Sequence, residues 1–232
     1  ALLAGFSAER DRITGTLRMT LPASFGQRHV APLLPEFLAL HPQLALSLRF
    51  SDRLVDLVAG GLDLGIRIGT LTDSTLASRR LAANRRLLCA SPAYLARAGQ
   101  PQDPEALSAH ECLVLVDGSE RQDDWRLFGP GGRECRVRVR GRLEADHGGA
   151  LREAALGGLG IALKSTWDVA ADLAAGRLLP VLPDWQPEPT AIWAVFPQRR
   201  HLPPRVSACI EFFAARFGPL PPWERMLATQ AG

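Results

Sequence analysis

Eight residues of this 232-residue sequence are placed to hold a small molecule: Ser24, Phe25, Arg67, Gly69, Ser91, Asp146, His147 and Lys164. Ser24 and Phe25 stand where a predicted strand hands over to a helical segment, so the hydroxyl and nearby free backbone donors can face an anion. A plain capping role for Ser24 is the competing reading, and the two are compatible. Arg67 and Gly69 end a third strand. The guanidinium can grip a carboxylate with two parallel hydrogen bonds, or it can form a structural ion pair with Asp56 or Asp63. Asp146 and His147 precede a helix, with Asp146 as the cap candidate and His147 as the polar contact or, equally, a solvent-facing side chain. Lys164, the sole lysine, ends another strand. At a pocket edge it favours an acidic ligand; exposed, it carries no such meaning. Ser91 precedes Pro92, a residue suited to the first position of a helix that Ser91 would cap.

This chemistry is binding, not bond-making. The sequence has no GxSxG, P-loop, GxGxxG or HExxH pattern, and Gly157-Gly158-Leu159-Gly160 reads as a helix stop and strand entry. His29, His41, His110, His147 and His201 lack metal-ligand spacing, and Cys89, Cys112, Cys135 and Cys209 form no CxxC pair. Catalysis, a metal and a cofactor are all unexpected.

The elements that must position these residues follow a regular rhythm. Strands are predicted at 16–21, 44–50, 62–68, 76–81, 87–90, 113–116, 125–128, 135–139, 142–145, 161–164 and 191–196. Helices are predicted to about Leu40 from the turn at 23–26, and at 54–59 (capped by Asp52), 93–98, 149–156, 167–175 and 205–217. Strands alternating with helices argue for parallel pairing in an α/β layer fold. The two sets imply two lobes, with the last strand and helix returning to the first. A cleft at the carboxyl ends of parallel strands is then the place for a ligand. The Pro-rich tail after Phe217 reads as loosely held.

With 47% hydrophobic residues the chain can bury an ordinary globular core, and no apolar run approaches the roughly 20 residues of a membrane helix. No signal-peptide plan is visible, so a cytoplasmic setting without membrane partners is expected. The net charge of +3 permits nucleic-acid binding, but its densest run, Arg136, Arg138, Arg140 and Arg142, alternates with Val137, Val139 and Gly141. That period of two reads as a solvated strand face, with a phosphate-contacting strip as the alternative.

The runs DRLVDLVAGGLDLGIRIG (52–69), LASRRL, LLCASPAYLARAGQP (87–101), LEADHGGALREAALGGLGIAL (143–163) and GRLLPVLPDW (176–185) resemble the regulatory half of LysR-type transcriptional regulators, in register from Gly15 to Phe217. The resemblance implies two Rossmann-like lobes with a hinge and interlobe cleft, the periplasmic-binding-protein type 2 architecture. It implies residues 1–14 as the end of a linker helix, 15–86 with 191–217 as one subdomain, 87–190 as the other and 218–232 as a tail. It further implies a small-molecule effector, an anionic metabolite such as a carboxylate, sensed in the cleft. Homodimers, with tetramers of the full-length protein, would pair 30–40 and 44–50 of one copy against 149–156 of another. DNA would be contacted only through an N-terminal winged helix-turn-helix domain absent from this sequence. A free-standing solute-binding protein of the same fold is the alternative.

Overall fold

The computed structural model describes residues 13–53, 55–71, 76–118, 120–198 and 200–229, so the expected linker helix lies outside the described residues except for Ile13 and Thr14. In chain order the elements are β1 (Gly15–Leu21), α1 (Ala23–Phe25), α2 (Leu34–Leu40), β2 (Leu44–Phe50), β3 (Leu64–Gly69), β4 (Leu76–Asn84) and β5 (Arg86–Ala90). They continue with α3 (Pro92–Ala98), β6 (Cys112–Asp117), β7 (Glu120–Arg121), β8 (Asp124–Phe128), β9 (Glu134–Arg138), β10 (Glu144–Ala145), α4 (Gly148–Leu156) and β11 (Ile161–Ser165). The chain ends with α5 (Thr166–Ala174), β12 (Leu179–Val181), β13 (Gln186–Pro187), β14 (Thr190–Pro197), α6 (Pro204–Phe217) and α7 (Pro222–Ala228). Residues 1–83 with 191–221 form one compact unit, and 84–190 with 222–232 a second.

The first unit is built on a sheet of order β2-β1-β3-β14-β4. β1 runs parallel to both β2 and β3, whereas β14 is antiparallel to β3. Leu17, Met19 and Leu21 alternate along β1 into the core, as a strand with one buried face requires. Between α1 and α2 the backbone passes through a wide turn at Gly26–Val30 and a tight one at Ala31–Leu33, where Pro32 and Pro35 break the regular ladder. α6 starts on Pro204 and buries Val206, Cys209, Ile210, Phe213 and Phe217, spaced three and four apart. Phe217 meets Phe25 edge-on at 5.7 Å.

The second unit holds a sheet of order β10-β6-β11-β5-β12, joined by β7 at β6, and a small sheet β13-β8-β9. Leu88 and Ala90 of β5 enter a core with Tyr94, Trp125, Leu127 and Trp185, while Cys89 between them enters another with Leu113, Leu151 and Val169. The large sheet is therefore covered on both faces, by α4 and α5 on one and by the small sheet and α3 on the other. Burial pushes the Cys89 and Cys112 thiols up to about 12, leaving both as inert packing residues.

Three expectations are corrected. No helix forms at 55–59; Asp56 Oδ1 instead accepts the Val58 and Ala59 N–H groups at 2.8 and 3.1 Å and stabilises a turn. Pairing is mixed, because β5 is antiparallel to both β11 and β12. The tail is no loose end: Trp223 of α7 is buried, and Glu224 pairs with Arg85 at 3.0 Å and receives the Thr166 hydroxyl hydrogen bond. The arginine run takes the solvated reading, with Val137 and Val139 buried and Arg136, Arg138 and Arg142 paired to Asp124, Asp123 and Glu111.

Candidate functional site

In the first unit, the candidates stand at the carboxyl ends of the neighbouring parallel strands β1 and β3. The register that pairs Leu21 with Phe50 brings Asp52 beside the chain leaving β1, where its Oδ1 accepts the Ala23 N–H at 2.8 Å. Asp52, expected to cap a helix of its own, serves the start of α1. Pro22 occupies the cap position without a side-chain bond, so Ser24 is a half-buried residue of the first helical turn and not its cap. The Phe25 side chain is fully buried against Phe217 and His29, so only its main chain can reach a ligand.

Arg67 does not pair with Asp63, which accepts from Arg205 and from the Arg18 N–H. Its Nη2 donates to the Val55 carbonyl at 3.0 Å, tying the turn-bearing segment to β3. Half-burial lowers the Arg67 pKa, and nearby Asp56 opposes that shift. Gly69 closes β3 with φ +141°, a conformation a side chain rarely adopts, and its carbonyl receives the Trp193 Nε1–H at 3.1 Å.

In the second unit, Asp146 and His147 leave the carboxyl end of β10, which lies parallel to β6. The expected roles are exchanged: His147 is the cap of α4, its Nδ1 accepting the Ala150 N–H at 3.3 Å, and Asp146 is the exposed residue before it. An Nδ1 that accepts leaves the proton of the neutral ring on Nε2.

Lys164 is buried, not solvent-facing. It is 7% exposed, its Nζ donates to the Gly148 carbonyl at 2.6 Å and lies 2.6 Å from Asp168 Oδ2. Ser91 is corrected as well. It caps α3 as expected, accepting the Tyr94 N–H at 3.3 Å, but it is buried. Because β5 is antiparallel to β11, Ser91 sits beside Gly158, at the end of the sheet opposite to Lys164 and His147. The structure thus brings Ser24 and Arg67 to one edge of the first sheet and Asp146, His147 and Lys164 to one edge of the second, and leaves Ser91 apart. Asp168 and Asp172 were missed, the latter fully buried under Arg152 and Arg177. The only sequence signal for these two is the Asp168–Asp172 spacing on one helix face. Among the described residues no cluster of His, Cys, Asp and Glu could hold a metal, and no helix is long and apolar enough to cross a membrane.

The fold is that of the periplasmic-binding-protein type 2 class. The family model described as the LysR substrate binding domain matches residues 10–218, and the chain belongs to that family. It is 39% identical over 203 residues to the transcriptional regulator DmlR of Escherichia coli K12, covering 88% of this chain and 66% of DmlR. It is 35% identical over 206 residues to the transcriptional activator TtdR of Escherichia coli UTI89, covering 89% of this chain and 66% of TtdR. The chain thus spans just under two thirds of the length of these relatives. Among solved structures, the CrgA regulatory domain of Neisseria meningitidis aligns with a TM-score of 0.77 at 29% identity, over 88% of this chain and all of that one. Full-length AphB, a virulence activator of Vibrio cholerae, aligns with a TM-score of 0.76 at 28% identity, over 92% of this chain and 74% of AphB. Relatives named as regulators leave the solute-binding alternative without support.

Proposed function

We propose that this chain is the effector-sensing part of a cytoplasmic transcriptional regulator that works as a homodimer and reaches DNA through a separate domain. The observation that carries the reading is the family match running through both units, together with alignment to the whole CrgA regulatory domain. The chain binds a small metabolite and performs no reaction on it. Each unit carries its own candidates at its strand ends: Ser24, the main chain at Phe25, Arg67 and Gly69 in the first, and Asp146 and His147 in the second. Of the cations expected to select an anion, Lys164 is taken up by Asp168, which leaves Arg67 as the one to grip a carboxylate. Effector binding shifts the conformational equilibrium of the chain and thereby the attached DNA-binding part.

Titration calorimetry with oxalate through adipate and with neutral polyols tests this. A carboxylate ligand is expected whose affinity falls roughly tenfold in His147→Ala and in Arg67→Gln, the worth of one charge-assisted hydrogen bond. Unchanged affinity in both variants would refute the assignment.

A further inference from the structure

We propose that Lys164 is a positioning residue that fixes the first turn of α4, and with it the Asp146–His147 corner on which the effector reading above rests. α4 and α5 are tied by charge at two heights. At the first, the buried Lys164 ammonium bridges the Gly148 carbonyl of α4 and the Asp168 carboxylate of α5, each at 2.6 Å. At the second, Arg152 Nε donates to Asp172 Oδ2 at 2.6 Å, while Arg177 Nη2 donates to Oδ1 of the same carboxylate at 2.6 Å. Gly148 and Arg152 are four residues apart on one helix, and Asp168 and Asp172 four apart on the other. The two ties therefore repeat after one turn of both.

Apolar packing alone tolerates small slides of one helix along another, whereas the Lys164 hydrogen bond to Gly148 has a direction to keep and its ion pair with Asp168 a short distance to keep. Asp168 and Asp172 are 4% and 0% exposed, so water cannot replace their cations if a helix shifts. Lys164 is also the penultimate residue of β11, so one ammonium joins the last residues of a strand to two helix starts. Space is fitted to it: a Cβ at Gly148 would lie 3.2 Å from Nζ. Lys164 thus sets where the His147 imidazole and Asp146 carboxylate stand, acting through the Gly148 carbonyl without touching a ligand.

Two measurements on the intact chain test this. Because the sequence contains one lysine, a protein carrying nitrogen-15 at lysine Nζ gives a single ammonium resonance. The structure predicts a slowly exchanging signal at neutral pH, and a rapidly exchanging, mobile ammonium would overturn the proposal without any substitution. The second uses K164M/D168L, in which an apolar pair replaces the ionic one and keeps stability near that of the parent. The amides of Ala150–Glu153 are expected to exchange roughly tenfold faster in it, the loss of one charge-assisted bond, with the rest of the second unit unchanged. Unchanged exchange there would reduce Lys164 to a filler of space and overturn the proposal. Oxalate through adipate, titrated on both proteins, separate the two readings. If none binds the parent, the effector reading fails while the exchange result still decides the positioning. Equal affinity of a ligand for both proteins would overturn the role of Lys164 in shaping the site.

Discussion

His110 shows how a single side chain records its surroundings. The Tyr94 hydroxyl lies 3.0 Å from His110 Nδ1 and accepts the Glu111 N–H at 3.0 Å. Burial lowers the His110 pKa below its ordinary value. The unfolded chain then takes up the proton first as pH falls. Stability is therefore expected to be insensitive to His110 above about pH 6.5 and to decline below it. Thermal melts of the parent and of His110→Gln between about pH 5 and pH 7.5 check this, the variant lacking that part of the slope. What the sequence showed of such residues depended on whether their role is local. The capping of α3 by Ser91 was legible from Ser-Pro alone. The burial of Lys164 was not, because a lone lysine at a strand end looks the same whether it meets solvent or an aspartate four residues on.

Among the elements, α7 departs furthest from expectation. GPLPPWERM reads as a loose tail because prolines and glycine dominate its start, yet Pro222 opens a helix and Trp223 supplies a large apolar face. Its docking on α5 brings Glu224 to Arg85 and Thr166. Trp223→Ala is expected to destabilise the protein by about 3–5 kcal/mol, the usual loss for a buried aromatic of this size. Urea unfolding followed by circular dichroism measures it, and a loss below the error of the method would mean that α7 does not stabilise the second unit. Most other elements were legible because their apolar spacing is strong: β1, β2, β11, α4 and α6 follow the pattern of alternate or three-and-four-apart burial. The turn at 57–61 was not, since Asp followed by an apolar run and two glycines fits a capped helix as well as a side-chain-stabilised turn.

For the whole molecule, the alternation of strands and helices pointed to two α/β units, and the chain forms two compact units of interleaved sequence. The direction of β5 was beyond that alternation. Its antiparallel run places Ser91 at the far end of the sheet from His147, so a correctly read cap stands apart from the other candidates of that unit. Strand direction is set by which neighbours a strand finds in the folded sheet, information that no local pattern holds.

The central claim is that the chain senses a small molecule through residues at strand ends. Hydrogen-exchange footprinting with the tightest carboxylate found by calorimetry tests it most directly. The account predicts slowed exchange in two separate segments, Ala23–Gly26 and Asp146–Leu151, with the Ser91 end of the second sheet unaffected. Protection confined to one unit, or centred on Ser91 and Gly158, would contradict it.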